Sequence, residues 1–504
     1  MTGISGYPGI SKNMDLSPFW VTPFVLILAS IAVVPLINSH FWEKNLWWIS
    51  LFVFTAPMMT ALLFFLGDDI RHLTYEKIGE YISFILLLGT LYVISGGIFI
   101  SGTLTGSPTQ NTLFLFTGSL IASLIGTTGA SMLLIRPLIR ANRWRKNKKY
   151  IIVFFIFLVS NVGGILTPLG DPPLFLGYLQ GVPFEWTLQL FPQWAITAGI
   201  LLVIFYFVDL TFYHKESPQK LKTEEKIEGS PLLQIKSKID DLLGELDLKT
   251  ILSGKQIRLS LLRRIRETLS FASLELEKAS ATAVTEPIAF MGKQNFFLLA
   301  GVVTVIYMQG NLRQRFPEFW PAFGPQEVLM FLLAVASLVI TPLKSKIRVE
   351  NDFNFGPIKE VALIFAAIFT TMVPALYILE HHGASLGVRE DWQFFWASGI
   401  LSSFLDNAPT YMTFLSLGKS LGLPNDLGFV LRDGGSVTSG ILTAISCGSV
   451  FMGANSYIGN GPNFMVRSIA ESQGIKMPSF FGYMLYSIAI LIPIFILLTF
   501  IFFI

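Results

Sequence analysis

The sequence predicts an all-α polytopic membrane protein: two inverted repeats with about ten transmembrane helices, two re-entrant hairpins and broken helices. Composition is the first reason. Of 504 residues, 52% are hydrophobic and 14% charged, with a mean hydropathy of +0.60, far too apolar for a soluble globular chain. The second is that apolar runs near the length of a bilayer crossing recur throughout. The third is that the two halves repeat each other, and that their matching stretches carry glycine, proline, amide and acid where an ordinary span would be unbroken.

Taken in order, the expected apolar stretches are 19–38, 46–66, 80–100, 109–138, 150–179 and 186–213, then 296–312, 327–343, 353–379, 392–421, 436–466 and 480–504. Only Lys12 precedes the first and no small-x-small cleavage site follows it, so it reads as a retained helix and not a signal peptide. Stretches 109–138 and 392–421 are too long for one crossing. Each breaks midway, at Gly126–Thr127–Thr128–Gly129 and at Asp406–Asn407–Ala408–Pro409, and each reads as a re-entrant hairpin. Stretch 150–179 cannot be one helix, because Pro168, Pro172 and Pro173 lack the N–H and clash with the preceding turn. The resulting domains are a first membrane repeat (1–213), a cytoplasmic linker (214–294) and a second, inverted repeat (295–504). In the linker, Ile235, Ile239, Leu242 and Leu246, then Leu259, Leu262, Ile265 and Leu269, recur at helical spacing. Arg258, Arg263, Arg264 and Arg266 make the second helix basic enough to lie on an anionic leaflet.

Charge placement supplies the topology. Arg136, Arg140, Arg143, Arg145, Lys146, Lys148 and Lys149 form a basic connection that should face the cytoplasm, whereas 181–185 carries no Lys or Arg and should lie outside. The pattern closes only if both hairpins return to the side they enter. It then places both termini on the non-cytoplasmic face of a bacterial inner membrane. Formal net charge is only +3, and the single cysteine, Cys447, excludes an internal disulfide and a thiolate cluster.

The repeats align in two blocks. Ile78–Gly79–Glu80 matches Ile358–Lys359–Glu360, and Gly126 falls opposite Asp406, both at an offset of 280. Gly164, Thr167, Gly170, Asp171 and Pro173 fall on Gly453, Ser456, Gly459, Asn460 and Pro462 at an offset of 289. The second half has therefore gained nine residues, around 418–435. Each half contributes an odd number of crossings and must be inverted relative to the other, the organisation of many secondary transporters with a midplane site.

Four breaks turn helix ends toward the membrane interior, and they hold the candidate ion-binding residues: Gly126, Thr127 and Thr128; Asn161, Thr167 and Asp171; Asp406, Asn407 and Thr410; Asn455, Ser456, Asn460 and Asn463. Asp406 and Asp171 supply charge, and the hydroxyls and amides supply neutral oxygens suited to a hard cation. Na⁺ is expected at Asp406, Asn407, Asn161 and Asp171, with Asp406 the stronger carboxylate. Each acid has a plainer reading as a helix N-cap, and each amide as a helix–helix hydrogen bond. Glu80 and Glu360 read as interfacial, with a proton-relay role the alternative. There is no HExxH and no paired Cys/His metal spacing, so the chain does not read as an enzyme, and no cofactor is expected beyond Na⁺ or H⁺ as coupling ion.

Ser160–Asn161–Val162–Gly163–Gly164, continuing through Thr167–Pro168–Leu169–Gly170–Asp171–Pro172–Pro173, resembles a signature of the ion transporter superfamily of NhaD-type Na⁺/H⁺ antiporters, arsenite-efflux permeases and citrate or dicarboxylate carriers. Ser402–Ser403–Phe404–Leu405–Asp406–Asn407–Ala408–Pro409 resembles its second-hairpin motif, and Gly126–Thr127–Thr128–Gly129–Ala130–Ser131–Met132 the first-hairpin motif of antiporter-like members. The resemblance implies a scaffold and a transport domain, a homodimer and alternating access. Dicarboxylate carriers of the group have Ser-Asn-Thr at both tips; the acid at Asp406 would repel citrate unless a cation neutralised it. The expected function is therefore secondary active ion transport by a Na⁺/H⁺ antiporter, with a Na⁺- or H⁺-coupled citrate or organic-anion transporter as the alternative. The expected partners are the lipid bilayer, a small inorganic cation or organic anion and a second copy of the chain, with no nucleic acid.

Overall fold

The structure is a computed structural model that describes residues 16–102, 106–216, 289–315, 324–351, 353–421, 428–431 and 435–504. The linker helices expected at 235–246 and 259–269 lie outside the described residues.

Helix α1, Thr22–Trp48, departs from helical geometry only at Asn38 (φ −152°, ψ 87°). The Asn38 Oδ1 accepts from Phe41 N at 2.9 Å and so restarts the helix as a cap would. A π-helical stretch, Ile49–Thr55, then leads into α2, Ala56–Phe64. The first two expected spans are thus joined end to end, with a kink where a loop was expected. Helix α3, Gly67–Gly96, starts well before the expected 80–100 span, with Asp68 and Asp69 in its first turn where the helix dipole favours acids. Strand β1, Phe99–Ser101, follows.

The first hairpin is α4, Pro108–Ile125, and α5, Thr127–Ala141. They meet at Gly126, whose φ of +81° is a conformation that side-chain-bearing residues rarely adopt. The chain folds back sharply there, since Gly118 on α4 lies against Leu134 on α5. The broken span is α6, Lys149–Leu158, a 3-10 turn at Val162–Leu166, and α7, Pro172–Leu179. Helix α8, Phe191–Lys215, closes the repeat.

Just before the second repeat, strand β2, Ala289–Met291, pairs antiparallel to β1. Helices α9 (Gln294–Arg315), α10 (Pro325–Ile340), α11 (Lys346–Glu350), α12 (Gly356–Thr371) and α13 (Val373–His382) follow, with a 42° bend between α12 and α13. The second hairpin is α14, Asp391–Phe404, and α15, Asn407–Lys419. The Phe394 and Phe414 rings, from its two arms, sit 6.5 Å apart. Strands β3, Gly428–Val430, and β4, Ser436–Thr438, pair where the sequence places its nine extra residues. The second broken span is α16, Ser439–Met452, a 3-10 turn at Gly453–Asn455, and α17, Gly461–Ser472. Helix α18, Phe480–Phe502, ends the fold.

The repeat offsets hold in three dimensions: α5 and α15 begin 280 residues apart, at Thr127 and Asn407, and α7 and α17 begin 289 apart, at Pro172 and Gly461. Among the described residues, five helical runs are each long and apolar enough to cross a membrane, including Gly67–Gly96, Lys149–Leu166 and Phe480–Phe502, and the bent α12–α13 pair makes a sixth. Large apolar side chains such as Phe64, Phe297 and Phe481 are exposed on the outside, as lipid solvation requires of a surface that water would reject. The interior is different. Every residue from Tyr150 to Leu158 of α6 is buried. Helix α3 is tied to the second repeat by Ser83 Oγ donating to Glu327 Oε1, Thr90 Oγ1 to Met330 O (3.1 Å), and Arg348 Nη1 to Val93 O (2.8 Å).

Arg145, expected as one of the cytoplasmic surface charges, is buried and paired with Asp209 of α8. Asp209 also accepts from Tyr150 Oη at 2.6 Å and Asn111 Nδ2 at 2.9 Å. The partner acid lies 64 residues away in sequence, so no local pattern could reveal the pair.

Candidate functional site

The four breaks converge on one carboxylate. Asp171 sits in extended backbone (φ −146°, ψ 145°) at the N-cap of α7, yet its side chain makes no capping bond. The first three helical residues explain this. An N-cap side chain bonds the N–H of the second or third helical residue; Pro173, in the second position, has none, and Leu174 N, in the third, donates to the Asp171 backbone carbonyl at 3.1 Å. The carboxylate is left to reach across the site.

Each of the other three breaks sends it one donor. Thr127 Oγ1, at the tip of hairpin one, donates to Asp171 Oδ1 at 2.7 Å. Asn460 Nδ2, in the second broken span, donates to the same oxygen at 3.2 Å. Asn407 Nδ2, at the tip of hairpin two, donates to Oδ2. Asp171 is 2% exposed, and its three donors are likewise buried.

Asp406 is placed differently. Its Oδ1 accepts from Ala408 N at 3.1 Å and caps α15, because the second helical position there is an alanine with a free N–H. It is only part-buried, and its charge interacts with that of Asp171. Among the described residues, neither acid has a Lys, Arg or His partner. Asn407 Oδ1 is buried without a hydrogen-bond partner, so the site holds a spare neutral oxygen beside its charge.

The remaining candidates divide into a network and a set of braces. Asn460 Nδ2 also donates to Asn161 Oδ1 at 3.2 Å, Asn161 Nδ2 to Asn463 Oδ1 at 2.7 Å, and Asn463 Nδ2 to Ser456 O at 2.9 Å. This amide chain links the two broken spans. Thr410 Oγ1 donates to Asp406 O at 3.0 Å, within its own helix. Thr167 Oγ1 donates to Ser123 O and braces hairpin one, while Ser456 Oγ accepts from Ile458 N and Gly459 N, at 3.1 and 3.2 Å. Asn455 Nδ2 donates to Ser403 Oγ at 2.9 Å. Gly126 lets Thr127 N donate to Gly170 O at 2.8 Å. Gly126, Thr127, Thr128 and Gly170 line a small recess together with Leu91 and Tyr92 of α3. The site residues therefore separate into the three that donate to Asp171, the Asn161–Asn463 amide chain behind them, and those, Thr410, Thr167, Ser456 and Asn455, that brace the breaks around it.

The tight crossings depend on paired glycines. A Cβ on Gly170 would run into Gly164 O, and one on Gly459 would come to 2.6 Å of Gly453 O. Two further serines, unremarked as a pair in the sequence, brace the hairpins. Ser123 Oγ donates to Gly163 O and Ser403 Oγ to Met452 O. Ser123 and Ser403 are 280 apart and their acceptors 289 apart; the repeat offsets were the signal that could have found them.

Among curated proteins, none matches the chain. The family described as "Putative citrate transport" matches residues 13–258 and 261–503, which take in both repeats. This agrees with the resemblance carried by the hairpin and broken-span motifs, and the chain belongs to that family of integral membrane transport proteins.

Proposed function

We propose that the protein is a secondary active ion transporter in which Asp171 binds the coupling cation, and that it exchanges Na⁺ for H⁺ by alternating access. The observation that carries this reading is the buried Asp171 carboxylate, which takes a donor from each of the other three breaks and no cationic side chain. An ionised carboxylate at membrane depth costs several kcal/mol unless a proton or cation joins it. The nearby Asp406 charge adds to that need, and Asn407 Oδ1 offers Na⁺ a further ligand. One carboxylate cannot hold both ions at once, so binding by competition becomes exchange. The weight that the sequence alone places on Asp406 shifts to Asp171, since Asp406 caps a helix.

The family's description favours a second reading, in which the acids hold only a coupling Na⁺ or H⁺ and citrate or another organic anion is carried with it. Proteoliposomes separate the two. An imposed Na⁺ gradient that shifts internal pH without any organic anion supports exchange. Labelled citrate uptake that requires the Na⁺ gradient, with no Na⁺-driven pH change in its absence, supports the carrier. The proposed setting is a homodimer in a bacterial inner membrane, with both termini on the non-cytoplasmic face.

A further inference from the structure

Helix α7 begins just after Asp171 and is C-capped by Gln180, so one rigid half-helix of about 12 Å joins Asp171 to a second polar cluster. There Glu80 of α3 is buried, in contrast to its repeat partner Glu360, which is only part-buried. Glu80 Oε1 accepts from Lys77 Nζ at 2.8 Å and from Gln180 Nε2 at 2.5 Å. The other oxygen of each group, Glu80 Oε2 and Gln180 Oε1, is buried and has no hydrogen-bond partner. The charged groups facing Glu80 are Lys77 and Glu76 of its own helix and Lys419, the last residue of α15; Gln180, from α7, is neutral.

Two buried acceptors left over from a carboxylate and an amide already joined through their other halves lack a single hydrogen between them. A carboxylic acid and a primary amide satisfy each other through two bonds, N–H to carbonyl and O–H to amide oxygen, and here only the first is made. We propose that Glu80 is a second proton-binding carboxyl, separate from the Asp171 crossing, whose proton sits on Oε2 and is shared with Gln180 Oε1. A metal cation in the same place would have to sit beside the Lys77 and Lys419 ammonium groups. A proton needs no coordination shell, and the two lysines limit its affinity, so it comes and goes with bulk water. Binding it adds a bond between α3, which is anchored to α10, and α7, which carries Asp171. That connection is how the proton would be linked to cation binding, and this consequence rests on the transport reading above.

The test uses purified full-length protein. Infrared spectra of the wild type should show protonated-carboxyl absorption that titrates with pH and shifts in D₂O, with one component of it missing in E80Q. The amide of E80Q reproduces the protonated pair, so this variant is expected to fold. K77M should move that component's midpoint up by about 1–3 pH units, the range by which a neighbouring opposite charge perturbs a carboxyl. In proteoliposomes, E80Q should lose one limb of the wild-type pH–flux profile. A titrating band unchanged in E80Q, or no band together with superimposable flux profiles, means that water bridges the two oxygens and overturns the proposal. That component without any wild-type Na⁺ or citrate flux upholds the Glu80 site and overturns the transport reading instead.

Discussion

Replacing Asp171 by Asn removes the charge at the crossing and almost none of the volume. The native carboxylate accepts from Thr127, Asn460 and Asn407. A hydrogen bond to a charged group contributes about 1.5–3 kcal/mol and a neutral one about 0.5–1.5, so the three together lose roughly 3 kcal/mol. The new NH₂ group also faces groups that themselves donate, which leaves at least one of them without an acceptor. A bound cation loses a partner of at least the same worth, and about 3 kcal/mol is more than a hundredfold in Kd. Calorimetric Na⁺ titration of the purified protein and Na⁺-driven pH change in proteoliposomes should both show the loss. D406N keeps a competent cap, because Asn serves there as well as Asp, and is expected to weaken Na⁺ binding by only about tenfold. If D171N binds Na⁺ within about threefold of the wild type while D406N does not bind it, Asp171 is not the ion's carboxylate and the reasoning from burial fails.

Competition between Na⁺ and H⁺ for Asp171 predicts that apparent Na⁺ affinity falls as pH falls, and that half-saturation measured across pH tracks proton concentration; a pH-independent value would exclude a shared carboxylate. Gly459→Ala places a Cβ within 2.6 Å of Gly453 O and should destabilise the protein by about 1–3 kcal/mol, read as a lowered Tm in detergent. Asp209→Ala strands the buried Arg145, at a cost of about 3–5 kcal/mol, enough to reduce the yield of folded protein on size-exclusion chromatography. Wild-type yield and Tm for that variant would mean that water reaches Arg145.

Much of the site was legible because a membrane penalises irregularity. Helix breakers and acids within apolar runs need a reason, and Pro168, Pro172, Pro173, Asp171 and Asp406 stand out against such a background. The offsets of 280 and 289 told which breaks belong together, and α5 with α15, and α7 with α17, begin where those offsets require. Less legible were the ends of the helices. Helix α3 begins at Gly67, amid Asp68, Asp69 and Arg71, since a helix can extend past the apolar zone wherever its charged turns are solvated. Nor does a hydropathy pattern distinguish the loop expected between the first two spans from the kink found at Asn38.

By itself, the sequence determined that the chain is an all-helical membrane protein of two repeats and which segments break, because period, hydropathy and proline act locally along the chain. What only the tertiary structure decided is what each polar side chain faces. Asp171 and Asp406 both stand at helix N-termini, and one alanine against one proline in the second helical position sends Asp406 to its own backbone and frees Asp171 for Thr127, Asn407 and Asn460. Those donors are 44, 236 and 289 residues away from it. Their meeting depends on how two hairpins and two broken spans pack, and packing is a property of the whole fold that no window along the chain contains.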